Sequence, residues 1–200
     1  MRLLTTVFGS IALAGALSAC SLGGLLGGGK PPTTLQTLTP EAADPGALAR
    51  AVNAGQAVTI GTPTVPKELR TVRVPAQISA TDIQYVTGLQ WVDTPDKLFQ
   101  DLLEETVRRT TNRVVLDPNQ PSLDPGLVVT GQLQRFGYDT ASGQAVVVYD
   151  ASLSTEGGSR VEARRFTASA PADGSGASVG PALNHAANEV AAEVAKWIGG

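Results

Sequence analysis

The sequence predicts an α+β fold for most of the chain. Several short segments alternate apolar and polar residues as β-strands do, and two longer segments repeat their apolar residues with helical spacing. In the second half, two neighbouring apolar segments flank a short Gly-containing connection, which is typical of an antiparallel pair. Aromatic residues make up only 4% of the chain, so we expect a core of small and β-branched side chains.

The N-terminal residues have the pattern of a bacterial secretory signal that ends at a cysteine. Arg2 precedes an apolar run of about 15 residues, shorter than the roughly 20 that a membrane-spanning helix needs. The run ends in Leu-Ser-Ala-Cys at residues 17–20, which resembles the lipobox of bacterial lipoproteins. An ordinary signal peptide with a chance cysteine is the alternative. We expect residues 1–19 to be removed and Cys20, the only cysteine, to be alkylated with diacylglycerol.

A glycine-rich tether is predicted to follow the lipidated cysteine. Residues 20–32 contain five glycines after Cys20 and end in a Pro pair, so the tether should reach about 20 Å before the domain at residues 33–200 begins. Gly24 to Lys30 matches the G-x-x-x-x-G-K phosphate loop, but Pro31 occupies its Ser/Thr position, so no nucleotide site is expected. The net charge of −3 does not favour a nucleic-acid partner, which would require a basic face.

The first half of the domain predicts short strands and one helix. Gly88 should end the strand that starts at Asp82. For the helix, Thr94 is placed to cap the first turn, Pro95 suits the first helical position and Asp96 the positive end of the dipole. The helix should bury Phe99, Leu102, Leu103, Thr106 and Thr110. The predicted strands are Thr33–Leu38, Ala57–Thr62, Thr71–Val74, Asp82–Val86 and Arg113–Leu116.

The second half predicts three strands and a second helix. Leu127–Phe136 and Ala145–Leu153 should pair, with a bulge near Gln134 or Arg135, because Phe136 is out of phase with the preceding apolar residues. The run from Val146 to Tyr149 is apolar on both faces, as in a central strand. A strand over Arg160–Ala168, a loop over Pro171–Gly180 and an amphipathic helix over Pro181–Ile198 complete the chain.

No combination of residues predicts catalysis. A hydrolase or transferase needs a nucleophile with a base, or a metal, whereas Cys20 is committed to lipid and His185 is the only histidine. One histidine cannot form a His-rich metal site, so we expect neither a metal nor another cofactor. Trp91 and Trp197 could stack on a ligand, but aromatic residues beside amphipathic helices are more often core. We therefore expect a protein that is not an enzyme.

The order of these features resembles one known family. After the lipobox come short apolar motifs, then a Pro-started helix, a Phe136-bearing strand and a terminal helix. Together, over about residues 33–198, they are similar to the ABC-type transport auxiliary lipoproteins, the PqiC-like family found with MCE-type lipid transporters. The motifs are Val65-Pro66-x-x-Leu69, Val72-Arg73-Val74, Ile83-Gln84-Tyr85 and Trp91.

The resemblance implies a periplasmic domain in which a mixed or antiparallel sheet is covered by both helices. It also implies a docking role beside an MCE-domain protein, an ABC permease and an ATPase that move phospholipid between envelope membranes. Ser21 follows Cys20 where inner-membrane retention would require Asp, so the anchor is expected in the outer membrane, facing the periplasm.

Two other functions stay open at this point. One is an outer-membrane assembly or envelope-integrity lipoprotein. The other is a small carrier of hydrophobic ligands, because Ala186, Ala187 and Ala191 would leave room for an acyl chain beside the last helix. The sequence also leaves open whether copies of the chain form a homo-oligomer.

Overall fold

A seven-stranded mixed sheet carries two α-helices on one face. The computed structural model describes residues 34–47, 50–51, 56–120, 126–155 and 160–199. In these ranges the α+β prediction is confirmed. The helices are α1 (Pro95–Thr110) and α2 (Gly176–Gly199). The strands are β1 (Val58–Ile60), β2 (Arg73–Gln77), β3 (Ile83–Gln90), β4 (Val115–Leu116), β5 (Leu127–Asp139), β6 (Gln144–Ser154) and β7 (Val161–Pro171).

Strand β5 organises the sheet, because strands pair with both of its edges. One edge pairs antiparallel with β6, which in turn pairs with β7. The other edge pairs in parallel with β1 near its start and with β2 near its end, and Thr64 bridges Gln132 between them. The remaining strands extend this edge, β4 beside β1 and β3 beside β2.

The predicted bulge in β5 is confirmed. The register with β6 shifts between Leu133 and Arg135, so Gln134 is the extra residue. A bulge of this kind moves the following side chains to the opposite face. As a result Leu133 and Phe136 both point into the core, although an unbroken strand would place them on opposite faces.

The prediction that Gly88 ends a strand was wrong. Strand β3 continues to Gln90, and Gly88 lies within it at φ 72°. The pairing with β2 shifts between Arg73 and Pro75, so the extra residues of β3 form a wide irregularity rather than a stop. Glycine adopts this backbone conformation at little cost, which allows the strand to bend and continue.

The first predicted strand is also corrected. In place of a strand over Thr33–Leu38, the described part of this segment makes one bridge, between Gln36 and Trp91. Backbone hydrogen bonds of 2.9 Å from Gln36 to Gln90 and 2.8 Å from Val92 to Gln36 hold it there. The alternation of apolar and polar residues was misleading here, because Thr39 and Glu41 just after this segment form hydrogen bonds with α2 and not with a strand.

Helix α1 begins at Pro95 as predicted, but its capping differs. Thr94 holds the N-cap position with an extended backbone and makes no side-chain cap. Its amide instead donates to the Asp93 carboxylate at 2.7 Å. The predicted buried face is confirmed for Phe99, Leu102, Leu103 and Thr106, while Thr110 is exposed at the end of the helix.

Helix α2 begins five residues earlier than predicted, at Gly176. Ser175 supplies the start, since its hydroxyl accepts a hydrogen bond from the amide of Ser178 at 3.3 Å. Pro181 therefore lies inside the helix and not at its first position. The extra turn buries Val179. This burial favours a helix, although the Gly- and Ser-rich composition of the segment favours a loop.

The core fills the space between the helices and the sheet. It contains two edge-on ring pairs: Trp91 with Phe136 at 5.7 Å and Phe99 with Tyr149 at 5.1 Å between centroids. Because Phe99 belongs to α1 and Tyr149 to the middle of β6, this pair fixes α1 to the centre of the sheet. Trp91 is buried, as predicted. No helix among the described residues is long and apolar enough to cross a membrane.

Leu102→Ala should lower the free energy of unfolding by about 2–5 kcal/mol, because it empties a buried site between α1 and the sheet. The matched control is Val92→Ala, where the side chain is 51% exposed and the change should be within about 0.5 kcal/mol. Urea denaturation of the soluble domain measures both. Equal losses in the two variants would contradict this assignment of the core.

Tyr149→Phe should leave stability unchanged or raise it by about 1 kcal/mol, since the buried hydroxyl of Tyr149 has no hydrogen-bond partner among the described residues. Tyr138→Phe is the control, because the Tyr138 hydroxyl donates to the Ala172 carbonyl at 3.3 Å. That variant should lose about 0.5–1.5 kcal/mol in the same urea assay. A clear loss for Tyr149→Phe would mean that its hydroxyl is hydrogen-bonded after all.

Candidate functional site

The predicted lipidation site, Cys20, lies outside the described residues, and its modification stays a prediction. The same holds for the signal and tether boundaries at residues 1–19 and 20–32. Within the described ranges, no group of three or more His, Asp or Glu side chains is placed to hold a metal ion. The informative features are the segment through which the tether joins the domain and a basic groove.

Residues 36–42, which we call the strap, lie against the helices. The strap is held through two asparagines of α2 one turn apart. The Asn184 side chain accepts from the amide of Thr39, and that of Asn188 from the amide of Glu41, both at 2.8 Å. Asn188 also donates to the Thr39 carbonyl at 2.9 Å. These contacts satisfy the polar backbone of an extended segment that has no sheet partner here.

Both ends of the strap are also fixed. At its start, the Gln36 side chain covers Gly180, where any larger residue of α2 would occupy the same space. At its end, the Ala42 carbonyl accepts from Arg109 of α1 at 2.9 Å. The strap therefore connects α2 with the last turn of α1.

His185 takes part in the same contact. Its Nδ1 lies 3.0 Å from the Glu41 carboxylate, and its Nε2 lies 3.6 Å from Glu189 of the next turn. The hydrogen bond with Glu41 raises the pKa of the imidazole, and the charge of the two carboxylates acts in the same direction. His185 thus has a structural partner that sequence reasoning missed. The Glu189 contact is visible in the i,i+4 spacing, but Glu41 is 144 residues away and no local signal indicates it.

A groove of about 760 Å³ lies at the opposite end of α2, between its last turn and the start of β7. Basic side chains outnumber acidic ones along it, although the whole chain has a net charge of −3. Its charged lining consists of Arg113, Arg160, Arg164, Arg165 and Lys196 with Glu162 and Glu193.

Arg113 forms the corner of this groove. Its Nε donates to the Ile198 carbonyl at 2.8 Å, and its Nη1 donates to the Gln56 carbonyl at 3.3 Å. A cation here complements the negative end of the α2 dipole. Burial lowers the pKa of the guanidinium, which remains protonated at neutral pH. A second groove of about 650 Å³ lies on the other side of Arg113 and Lys196.

An aromatic pair forms the apolar part of the groove. Phe166 of β7 and Trp197 of α2 lie 5.5 Å apart between centroids, and the Arg164 guanidinium lies 5.4 Å from the Trp197 ring. The Trp197 indole donates to Glu162 at 3.2 Å, and Glu162 also pairs with Arg160. Trp197 is only half-buried, so the expectation that both tryptophans are core applies to Trp91 and not fully to Trp197.

The cations of the groove differ in how far they are neutralised. Arg165 makes a two-point pair with Asp150 at 2.6 Å, and this hydrogen bonding lowers the pKa of the Asp150 carboxyl. Arg160 pairs with Glu162. Among the described residues, Arg164 and Lys196 form no ion pair within 4.0 Å. These two side chains are the ones that an anionic partner would meet.

Solved structures show that this fold has been seen before. A crystal structure of a protein from Xanthomonas campestris, assigned to the DUF330 family, superposes with a TM-score of 0.69 at 17% identity. The match covers 83% of this chain and 95% of the other. A crystal structure of an uncharacterized protein matches with a TM-score of 0.62 at 15% identity, covering 75% of this chain and 96% of the other. No curated protein matches the sequence.

The sequence also matches a family model. The family is described as the ABC-type transport auxiliary lipoprotein component, and the match extends over residues 35–195. It includes the strap, the sheet and both helices up to the last turn of α2. The resemblance noted from the motif order is therefore confirmed, and with it a transport-associated role in the bacterial cell envelope. The chain belongs to the family of ABC-type transport auxiliary lipoprotein components.

Proposed function

We propose that this protein is the lipid-anchored docking subunit of an ABC transporter that contains an MCE-domain protein, a permease and an ATPase. In this proposal the complex moves phospholipid across the cell envelope, and the domain holds the other components beside a membrane. The observation that carries it is the family match over residues 35–195 in a chain whose only cysteine ends a lipobox.

The anchor in this proposal is Cys20 after acylation. A single acyl chain binds a membrane only marginally, at about 0.8 kcal/mol per buried CH₂, but several chains on one residue hold it stably. Because Ser21 and not Asp follows the cysteine, we place the anchor in the outer membrane, with the domain in the periplasm. The strap, where the domain begins, is held by both α1 and α2.

We further propose that the domain acts by binding and not by catalysis. His185 is engaged by Glu41 and Glu189, which supports a role in holding the strap. The carrier alternative receives less support from the packing. Ala186, Ala187 and Ala191 are fully buried, which is expected if their small side chains serve close approach of α2 rather than an acyl-chain channel.

Cys20→Ala should remove the protein from the membrane fraction, because the variant has no thiol to acylate. Ser21→Ala, which keeps the cysteine, should fractionate like the wild type. Immunoblots of separated membrane and soluble fractions, with mass spectrometry of the N-terminal peptide, measure both. A Cys20→Ala protein that is processed and sediments with membranes as the wild type does would exclude this anchor.

The docking role is tested by crosslinking in the native cell. Formaldehyde treatment followed by purification of the full-length lipidated chain should recover an MCE-domain protein as a major adduct. The same chain carrying Cys20→Ala should give less of this adduct, because the anchor no longer concentrates it at the membrane. Adducts that contain only assembly factors of the outer membrane would support the alternative function instead.

A further inference from the structure

The outer edge of β7 is a long strand edge without a partner among the described residues. β7 has 11 residues and pairs with β6 alone. An edge of this length presents unpaired backbone donors and acceptors with which another chain can pair. Proteins normally protect such edges. In β7 the charged residues Glu162, Arg164 and Arg165 all lie in the first half, and proline occurs only at the last position, Pro171.

The register identifies which backbone groups face outward. The pairing of β6 with β7 is continuous, with Thr155 N–H donating to the Arg160 carbonyl and Ala172 N–H to the Gly143 carbonyl, each at 3.0 Å. Hydrogen-bonded and non-hydrogen-bonded pairs alternate in an antiparallel ladder. Even-numbered residues of β7 therefore point their backbone groups at β6. The outward donors are the odd-numbered residues Val161, Ala163, Arg165, Thr167 and Ser169.

The edge begins at the basic groove. Arg164 and Phe166 lie in the first half of β7, and they line the groove together with Lys196 and Trp197 of α2. Arg164 and Lys196 have no ion-pair partner among the described residues. Val161 adds an apolar side chain that is 65% exposed. A segment added to this edge would thus meet the backbone donors of β7. At the groove it would also meet two cations without ion-pair partners and an aromatic surface.

The groove is also separate from the strap. The strap contacts α2 between Gly180 and Asn188, whereas Lys196 is eight residues beyond Asn188, which corresponds to about 12 Å of helix. A partner seated in the groove would therefore not compete with the strap for α2.

We propose that the β7 edge and the basic groove bind an extended acidic segment of a partner protein by strand addition. Strand addition supplies affinity through backbone hydrogen bonds and specificity through alternate side chains, and acidic residues complement Arg164 and Lys196. A second copy of this chain is less complementary, because its β7 carries Arg164 and Arg165 and not an excess of acidic residues. The identity of the partner as a transporter component rests on the proposed function, whereas the chemistry of the surface does not.

The test places a photo-crosslinking amino acid at Ala163 or Thr167 in the full-length chain, expressed in its own bacterium. Asp101, exposed on α1, is the control position. Adducts are cut with protease and the attached peptide is sequenced by mass spectrometry. Both edge positions should yield one protein segment in which Asp and Glu exceed Lys and Arg, and Asp101 should not.

Variants test the two parts of the surface separately. Arg164→Glu and Lys196→Glu should each lower the yield of the adduct about tenfold, because like charges then oppose the acidic segment. Lys67→Glu makes the same change in net charge at an exposed site away from β7 and should have no effect. Thr167→Pro removes one outward amide and leaves the ladder to β6 intact, so it should lower the adduct yield at Ala163 with an unchanged melting temperature.

The outcomes separate this inference from the proposed function. An acidic segment from a protein without an MCE domain would support the inference and count against the proposed function. An MCE-domain protein that crosslinks elsewhere on the chain but not at β7 would support the proposed function and count against the inference. The inference is overturned by adducts to lipid or to a second copy, by yields insensitive to Arg164→Glu, or by edge adducts no stronger than at Asp101.

Discussion

The pairing of β5 along both of its edges is the constraint on which the rest of the structure depends. A strand of 13 residues is long enough for β1 and β2 to lie one after the other along the same edge. This arrangement brings segments from the first half of the chain to both ends of one strand from the second half. The bulge at Gln134 keeps the core face continuous, because it returns Phe136 to the side of Leu133.

Helix α2, which covers one face of the sheet, makes different contacts at its two ends. Near the first turns of α2, the strap is held by neutral amide side chains and by Gln36. Near its last turn, Arg113 and Lys196 carry positive charges, which interact favourably with the negative end of the helix dipole. The two ends of α2 therefore differ in what they contact, the strap at one end and a basic groove at the other. The asymmetry of α2 therefore supports a docking role more directly than any single side chain does.

Local patterns were sufficient where one element decides its own structure. The start of α1 at Pro95, the β5–β6 pair and the bulge beside Gln134 were all predictable, because periodicity and turn chemistry act within a few residues. Local patterns were insufficient where contacts with a distant segment decide which secondary structure is most stable. Gly88 continues a strand because β2 accommodates the irregularity opposite it, and residues 176–180 are helical because Val179 is buried.

The sequence by itself determined the class of the protein, since the order of the apolar motifs, like the Leu-Ser-Ala-Cys pattern at residues 17–20, is a linear signal. It also determined the α+β content, because strand and helix periods are written in consecutive residues. Only the tertiary structure decided that Glu41 meets His185 and that Arg164 and Lys196 share one groove. Those contacts join residues far apart in the chain, and it is the packing of α2 against the sheet that brings them within reach.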